Sequence, residues 1–186
     1  MRMMIVIGSV RPGRVGPLVA DWVTEAVRAD PRFEPDLVDL AELDLPFMDE
    51  PAHPRLRQYT HEHTRAWSAR VDAADAVVFV TPEYNHSFAP ALKNAIDYLH
   101  EEWWRKPVGF VSYGGISAGT RGVTELESVV VGLGMVKTGA NVEIPFVASR
   151  LSDGRFAGDD KLEPIRGRML DELAALAEAL RPLQNR

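Results

Sequence analysis

The sequence contains no cysteine. That absence excludes disulfides, thiolate metal sites, iron–sulfur clusters and cysteine nucleophiles together, so any redox chemistry has to be borrowed from a bound cofactor. Long hydrophobic runs are missing too. No stretch approaches the ~18 to 20 apolar residues that span a bilayer, and a soluble protein is the expectation. The first residues read as a strand rather than as a basic region, an apolar core and a small-residue cleavage site, so the cytoplasm is the expected compartment. Positive charge is also short. With 21 Lys and Arg against 27 Asp and Glu, the formal net charge of -6 disfavours nucleic acid and anionic membranes, although a local basic cluster can still hold a small anion.

What is present suits one globular domain over residues 1–186, with 46% hydrophobic and 26% charged residues. A chain of this length can bury roughly 70% of the surface its unfolded form exposes. Met3 to Ile7 is a short continuous apolar run, the pattern of a strand buried on both faces of a parallel sheet. Pro17 to Arg28 carries apolar residues at helical spacing, and Pro17 suits a first turn. Leu37 to Leu40 is a weaker strand candidate, followed by a proline-rich loop through Pro54. Gln58 to Ala73 reads as a polar-faced helix. Ala76 to Val80 is the clearest strand, stopped by Thr81-Pro82. A helix over about 90–104, a strand at 108–112, a helix at 124–133, a strand at 137–142 and a terminal helix at 162–180 complete the pattern, with 152–160 as a polar loop. Alternating strands and helices predict a doubly wound α/β sheet, whose ligands sit beyond the carboxyl ends of the strands. The loops after the first, third and fourth strands stand there.

The first of these loops reads Gly8-Ser9-Val10-Arg11-Pro12-Gly13-Arg14-Val15-Gly16. A nucleoside-triphosphate loop needs lysine and a hydroxyl after its last glycine, but Arg14 and Val15 occupy those places and leave magnesium short of a ligand. A dinucleotide fingerprint needs glycine at position 10 and fails at Val10. A monophosphate cradle fits better. Ser9 offers a hydroxyl, Arg11 and Arg14 offer charge, and the amides of Arg14, Val15 and Gly16 fall at the N-terminus of the following helix. A turn with merely solvated arginines is the plain alternative.

The second loop runs Thr81-Pro82-Glu83-Tyr84-Asn85-His86-Ser87, then Pro90 and Leu92-Lys93-Asn94-Ala95-Ile96-Asp97. This long motif closely resembles the hallmark of the NADPH-dependent FMN reductases, flavodoxin-like proteins that include quinone and azo-dye reductases. Gly8-Ser9 with Arg11 resembles the phosphate loop of that family, and Ser112-Tyr113-Gly114-Gly115 resembles its third flavin-contacting segment. Together these cover residues 4 to 145. The resemblance implies a flavodoxin-like fold with a five-stranded parallel sheet in the order 2-1-3-4-5 and helices on both faces. It also implies FMN as cofactor, NADPH or NADH as co-substrate, a small-molecule acceptor such as a quinone, azo compound or free flavin, and a homodimer or homotetramer. Cofactor binding falls to Ser9, Arg11, Arg14, Val15 and Gly16 at the phosphate end. At the ring it falls to Pro82, Glu83, Tyr84, Asn85 and Ser87, and to Ser112, Tyr113, Gly114 and Gly115.

Physical reasoning fits those assignments. Pro82 and Tyr84 can wall a flat slot, the amides of Glu83, Tyr84 and Asn85 can face the flavin, and glycines at 114 and 115 let backbone approach closely. Tyr84 and His86 are candidates for substrate contact. The family usually places a hydroxyl residue three positions after the loop arginine and asparagine two further on, where this chain has Arg14 and Gly16. No side chain is assigned acid–base duty and no metal is expected, since the protein contributes binding, orientation and electrostatics to a flavin's own chemistry. An electron carrier or flavin-binding regulatory protein with little turnover is the alternative reading.

Other features carry less. His61-Glu62-His63 lacks the zinc spacing, and on a helix its histidines would point to different faces. Asn85-His86-Ser87 matches a glycosylation sequon that a cytoplasmic protein never uses. Trp103-Trp104 reads as core, a subunit contact or part of a cofactor-facing wall, and the resemblance favours the subunit contact.

Overall fold

The computed structural model describes residues 1–184. Its sheet is built from β1 (Arg2–Ile7), β2 (Glu34–Asp39), β3 (Ala76–Pro82), β4 (Pro107–Tyr113), β5 (Val136–Lys137) and β6 (Val142–Ile144). The order is β2-β1-β3-β4-β5, with β6 also on β4 and every pairing parallel. The helices are α1 (Gly16–Ala29), α2 (Leu40–Leu43), α3 (Glu62–Asp72), α4 (Pro90–Asp97), α5 (Thr120–Gly132) and α6 (Leu162–Gln184). None of them, among the described residues, is long and apolar enough to cross a membrane.

Both faces of the sheet are covered, which is why its central strands read as unbroken apolar runs. Successive side chains point to opposite faces. Met3, Ile5, Ile7, Val78, Val80, Val111 and Tyr113 pack with α1 and α6, whereas Met4, Val6, Val77, Phe79, Val108 and Phe110 pack with α3, α4 and α5. Gly109 lies under α6, where a Cβ would come within 2.9 Å of Met169 Sδ.

The expected fifth strand is broken in two. Residues 138–141 bulge between β5 and β6, and the Glu172 carboxylate of α6 accepts from the freed amides of Gly139 and Ala140 at 2.6 and 3.1 Å. The break matters because β6 runs beside the carboxyl half of β4, pairing Val111 with Val142 and Tyr113 with Ile144.

Three further expectations are corrected. Residues 152–160 are not simply a polar loop: β7 (Leu151–Ser152) and β8 (Arg155–Phe156) form a hairpin. Its Phe156 is buried edge-on against Trp22, with centroids 5.2 Å apart. Trp103 is core rather than a subunit contact; it is fully buried, T-shaped against both Trp67 and Phe79 with centroids 6.1 Å from each, and donates to Ile96 O at 3.0 Å. His61 stands before α3 in extended backbone, so its ring stacks on His63 at 5.1 Å instead of facing away, and both imidazoles turn to Asp49. No group of side chains able to hold a metal ion occurs among the described residues.

Candidate functional site

The carboxyl ends of β1, β3 and β4 bring residues 8–16, 83–89 and 114–119 together. Gly8 N donates to Val80 O at 2.9 Å, holding the first loop against the start of the second. The loop then turns through Arg11 and Gly13. Arg14 N closes that turn on Arg11 O at 3.1 Å, so the Arg14 amide is spent and is not a donor for a ligand. The cap residue Val15 offers no side-chain bond to α1, Pro17 has no N–H, and the first turn contains no acidic residue. Val15 and Gly16 are therefore the amides this helix end can present, backed by the positive end of its dipole.

The two arginines of the loop have different fates. Arg14 forms an ion pair with Asp39, the last residue of β2, and only its Nε remains buried without a partner. Arg11 is exposed and carries no ion pair among the described residues, so its charge is available to a ligand.

Ser9 is buried and its hydroxyl shares a 2.5 Å hydrogen bond with the Tyr84 hydroxyl, which joins the first and second loops. Tyr84 also begins a tight reversal. Its N–H donates to Ser87 O at 2.8 Å and its carbonyl accepts in return from Ser87 N at 3.0 Å, while Asn85 and His86 take φ of 49° and 69°. Positive φ at both central residues defines a type I′ turn. The Tyr84 amide is consumed in it, so of the amides expected to face a ring system that one is withdrawn, and Asn85 lies outside the pair of bonds. Gly122 of α5 packs on the turn so closely that a Cβ would stand 2.9 Å from Ser87 O.

Glu83 ties the second loop to the third. Its carboxylate accepts from Arg121 at 2.6 Å and from the Ser117 hydroxyl at 2.9 Å, and Arg121 also reaches His86 Nε2 at 2.9 Å. Burial pushes the Glu83 carboxyl up, but the guanidinium and hydroxyl bonded to it outweigh burial and hold it below the usual glutamate range. It is an ionised strut. Pro82 ends β3, paired with Tyr113.

In the third loop Gly114 N donates to Ile144 O at 3.2 Å, and Gly114 O and Gly115 O accept from Val147 N and Phe146 N at 3.1 and 2.9 Å. The Gly114 amide thus belongs to the sheet. A Cβ on Gly114 would press on Gly119 N at 3.2 Å, whereas one on Gly115 would meet nothing within 4 Å. Gly115 is the position that opens to empty space, and beside it Ile116 and Phe146 are 84% and 57% exposed. Phe146, at φ 49°, was not foreseen from sequence; only its place after the broken strand identifies it.

Ser112 and Tyr113 point to opposite faces of β4, and each buries a hydroxyl that finds no partner. Burial drives the Tyr113 hydroxyl well above the ordinary tyrosine range, and the neighbouring Tyr84 raises it further, against the opposing pull of Ser9, Arg14 and Arg11. Those neighbours place Tyr113 at the α1 end of the site rather than only at its ring end. An unsatisfied hydroxyl and an unsatisfied Nε at a helix N-terminus fit a phosphate monoester, and the Gly115 opening fits the edge of a flat ring. These residues are compatible with FMN.

Comparison with known proteins agrees. The profile of the family described as NADPH-dependent FMN reductase matches residues 1–148. An NAD(P)H-dependent FMN reductase from Nectria sp is 35% identical over 192 residues, covering 95% of this chain and 94% of that protein. One from Saccharomyces cerevisiae is 40% identical, covering 78% and 82%. An NADPH azoreductase from a Bacillus species is 29% identical, covering 94% and 92%. In three dimensions a flavoenzyme NAD(P)H:(acceptor) oxidoreductase from Paracoccus denitrificans shares the fold with a TM-score of 0.76 at 22% identity, covering 96% of this chain and 97% of that one.

Proposed function

The chain belongs to the NADPH-dependent FMN reductase family and is an oxidoreductase using FMN with NAD(P)H; on that premise we propose that it passes reducing equivalents to a small, flat, apolar acceptor. The observation that carries the acceptor class is the third loop, where Gly115 faces open space, its carbonyl accepts from Phe146 N, and the neighbouring Ile116 and Phe146 side chains are exposed. When bound, FMN supplies the two-electron chemistry that links nicotinamide to acceptor. The chain's own residues do the rest. Arg11 and the amides of Val15 and Gly16 hold the phosphate end. The Ser9–Tyr84 bond and the Glu83 strut to Arg121 and Ser117 fix the loops around the ring, so that little reorganises when a partner enters. Ile116 and Phe146 exclude water from one side and offer dispersion contact to an aromatic acceptor.

Quinones, azo compounds and free flavin all fit that description, and one of the relatives is named for azo reduction. Both nicotinamide and acceptor need the same ring face, which predicts ping-pong kinetics. Initial rates at several fixed acceptor concentrations should give parallel double-reciprocal lines, with a quinone and an azo dye competing against each other. Intersecting lines, or preference for a charged hydrophilic acceptor, would contradict the proposal.

A single flavodoxin-like unit, active in the cytoplasm as a homodimer or homotetramer, completes the reading. For assembly, the support is an apolar cleft of about 550 Å³ lined by Leu40, Leu45, Pro46, Phe47 and Ala91, with Phe47 88% exposed at its rim. Light scattering should report a dimer or larger for the protein and a smaller species for Phe47→Glu; a monomer in both cases removes this part of the reading.

A further inference from the structure

We propose that the Tyr113 hydroxyl is the neutral donor to the phosphate at the N-terminus of α1, and that Gly16 is glycine because that hydroxyl fills the place of its side chain. The inference rests on the FMN reading above and assigns a residue role within it.

Tyr113 is the last residue of β4 and belongs to the core face covered by α1. The residue is 4% exposed, and its hydroxyl is buried without a hydrogen-bond partner. Such a group carries the full cost of desolvation unless something arrives to satisfy it. Its location is fixed from the other side by Gly16, where a Cβ would lie 2.8 Å from Tyr113 Oη and 3.1 Å from Ile7 Cγ2. Any larger residue at position 16 would evict the hydroxyl from the helix end.

The surrounding donors are accounted for elsewhere. Ser9 Oγ is bonded to Tyr84, the terminal nitrogen of Arg14 to Asp39, and the Arg14 amide to Arg11 O. What remains without a partner around the start of α1 is Tyr113 Oη and Arg14 Nε, beside the amides of Val15 and Gly16 and the unpaired, exposed Arg11. Four donor types and the positive end of a helix dipole describe an anion site. Burial keeps the phenol protonated throughout the physiological range, so it donates rather than repels. The resembling family places a hydroxyl residue and an asparagine at positions 14 and 16. Here a terminal nitrogen of Arg14 is strapped to Asp39 of β2, the place of a Gly16 side chain is filled by the Tyr113 hydroxyl, and the side-chain donor comes from β4.

The test compares FMN with riboflavin, which lacks the phosphate, by quenching of flavin fluorescence during titration with flavin-free protein. Wild type should bind FMN far more tightly than riboflavin. Tyr113→Phe should weaken FMN by roughly ten- to a hundredfold, the scale of a hydrogen bond to a charged group, and leave riboflavin unchanged. The flavin-free variant should melt no lower than wild type, because the orphaned hydroxyl is gone. Gly16→Ala should weaken FMN in the wild-type background and much less in Tyr113→Phe, where the hydroxyl at 2.8 Å is gone and only Ile7 Cγ2 at 3.1 Å has to give. A wild type that binds neither flavin overturns the FMN reading and this inference with it. FMN bound by wild type with an unchanged FMN-to-riboflavin ratio in Tyr113→Phe, or both flavins weakened equally, overturns this inference alone.

Discussion

Arg14 is paired with Asp39 across the gap between the first loop and the end of β2, and the same carboxylate accepts from Ala41 N at 2.9 Å to cap α2. Both partners are mostly buried, with side-chain exposures of 21% and 12%. Arg14 therefore spends a terminal nitrogen as a structural strap and keeps only its buried Nε without a partner, while Arg11, three positions earlier, keeps its charge free.

Separate substitutions resolve these roles. Arg14→Ala leaves Asp39 without its ionic partner and should lower unfolding free energy by about 1–3 kcal/mol, measured by urea denaturation of the flavin-free protein. Arg11→Ala should leave that stability nearly unchanged but weaken FMN by roughly 1.5–3 kcal/mol in a fluorescence titration. The opposite pattern would exchange the two assignments.

The Glu83–Arg121 pair joins the second loop to the first turn of α5, and the carboxyl held below its usual range implies a pH signature. A carboxyl with a depressed folded-state pKa stabilises the fold fully above its unfolded value and loses that contribution as pH falls through the folded one. Arg121→Met should lower the melting temperature at pH 7, and the gap from wild type should close in acid as Glu83 protonates. A gap that stays constant across that range would mean Arg121 acts through packing alone.

Glu50 provides a second acid-sensitive joint, outside the site. Burial pulls its carboxyl up, but the amide and hydroxyl of Thr60 and the amide of His61 prevail and bring it down to about 2. This contribution is complete above about 4.5 and disappears as pH falls toward about 2. Glu50→Gln should melt several degrees lower at neutral pH and converge with wild type near pH 2; equal melting at pH 7 would show that the bonds to residues 60 and 61 hold nothing in place.

Much of this was legible in the residues. The strands at 3–7, 76–80 and 108–112 announce themselves because burial on both faces removes any polar interruption, and the three ligand loops follow from where those runs stop. Element ends were less visible. Gln58 to Thr60 carry no signal against helix, yet the Glu50 carboxylate caps residues 60 and 61 from ten positions away, and α3 begins only at Glu62. The break in the last strand depends on Glu172, and the burial of Trp103 on Trp67 and Phe79; neither partner is near in sequence. At the site, residue types were readable but donor allocation was not. That Gly114 and Tyr84 spend their amides on Ile144 and Ser87, and that Tyr113 turns its hydroxyl toward α1, are properties of packing between loops.

The account stands on FMN bound at the carboxyl ends of β1, β3 and β4 and exchanging electrons with both partners. Mixing the FMN-loaded protein anaerobically with NADPH, or NADH, and following the oxidised-flavin absorbance tests this most directly. The account predicts that the band bleaches in a single turnover and returns on addition of a quinone or azo dye. FMN that binds but stays oxidised with both nucleotides, or bleaches and is not reoxidised by either acceptor, would contradict it.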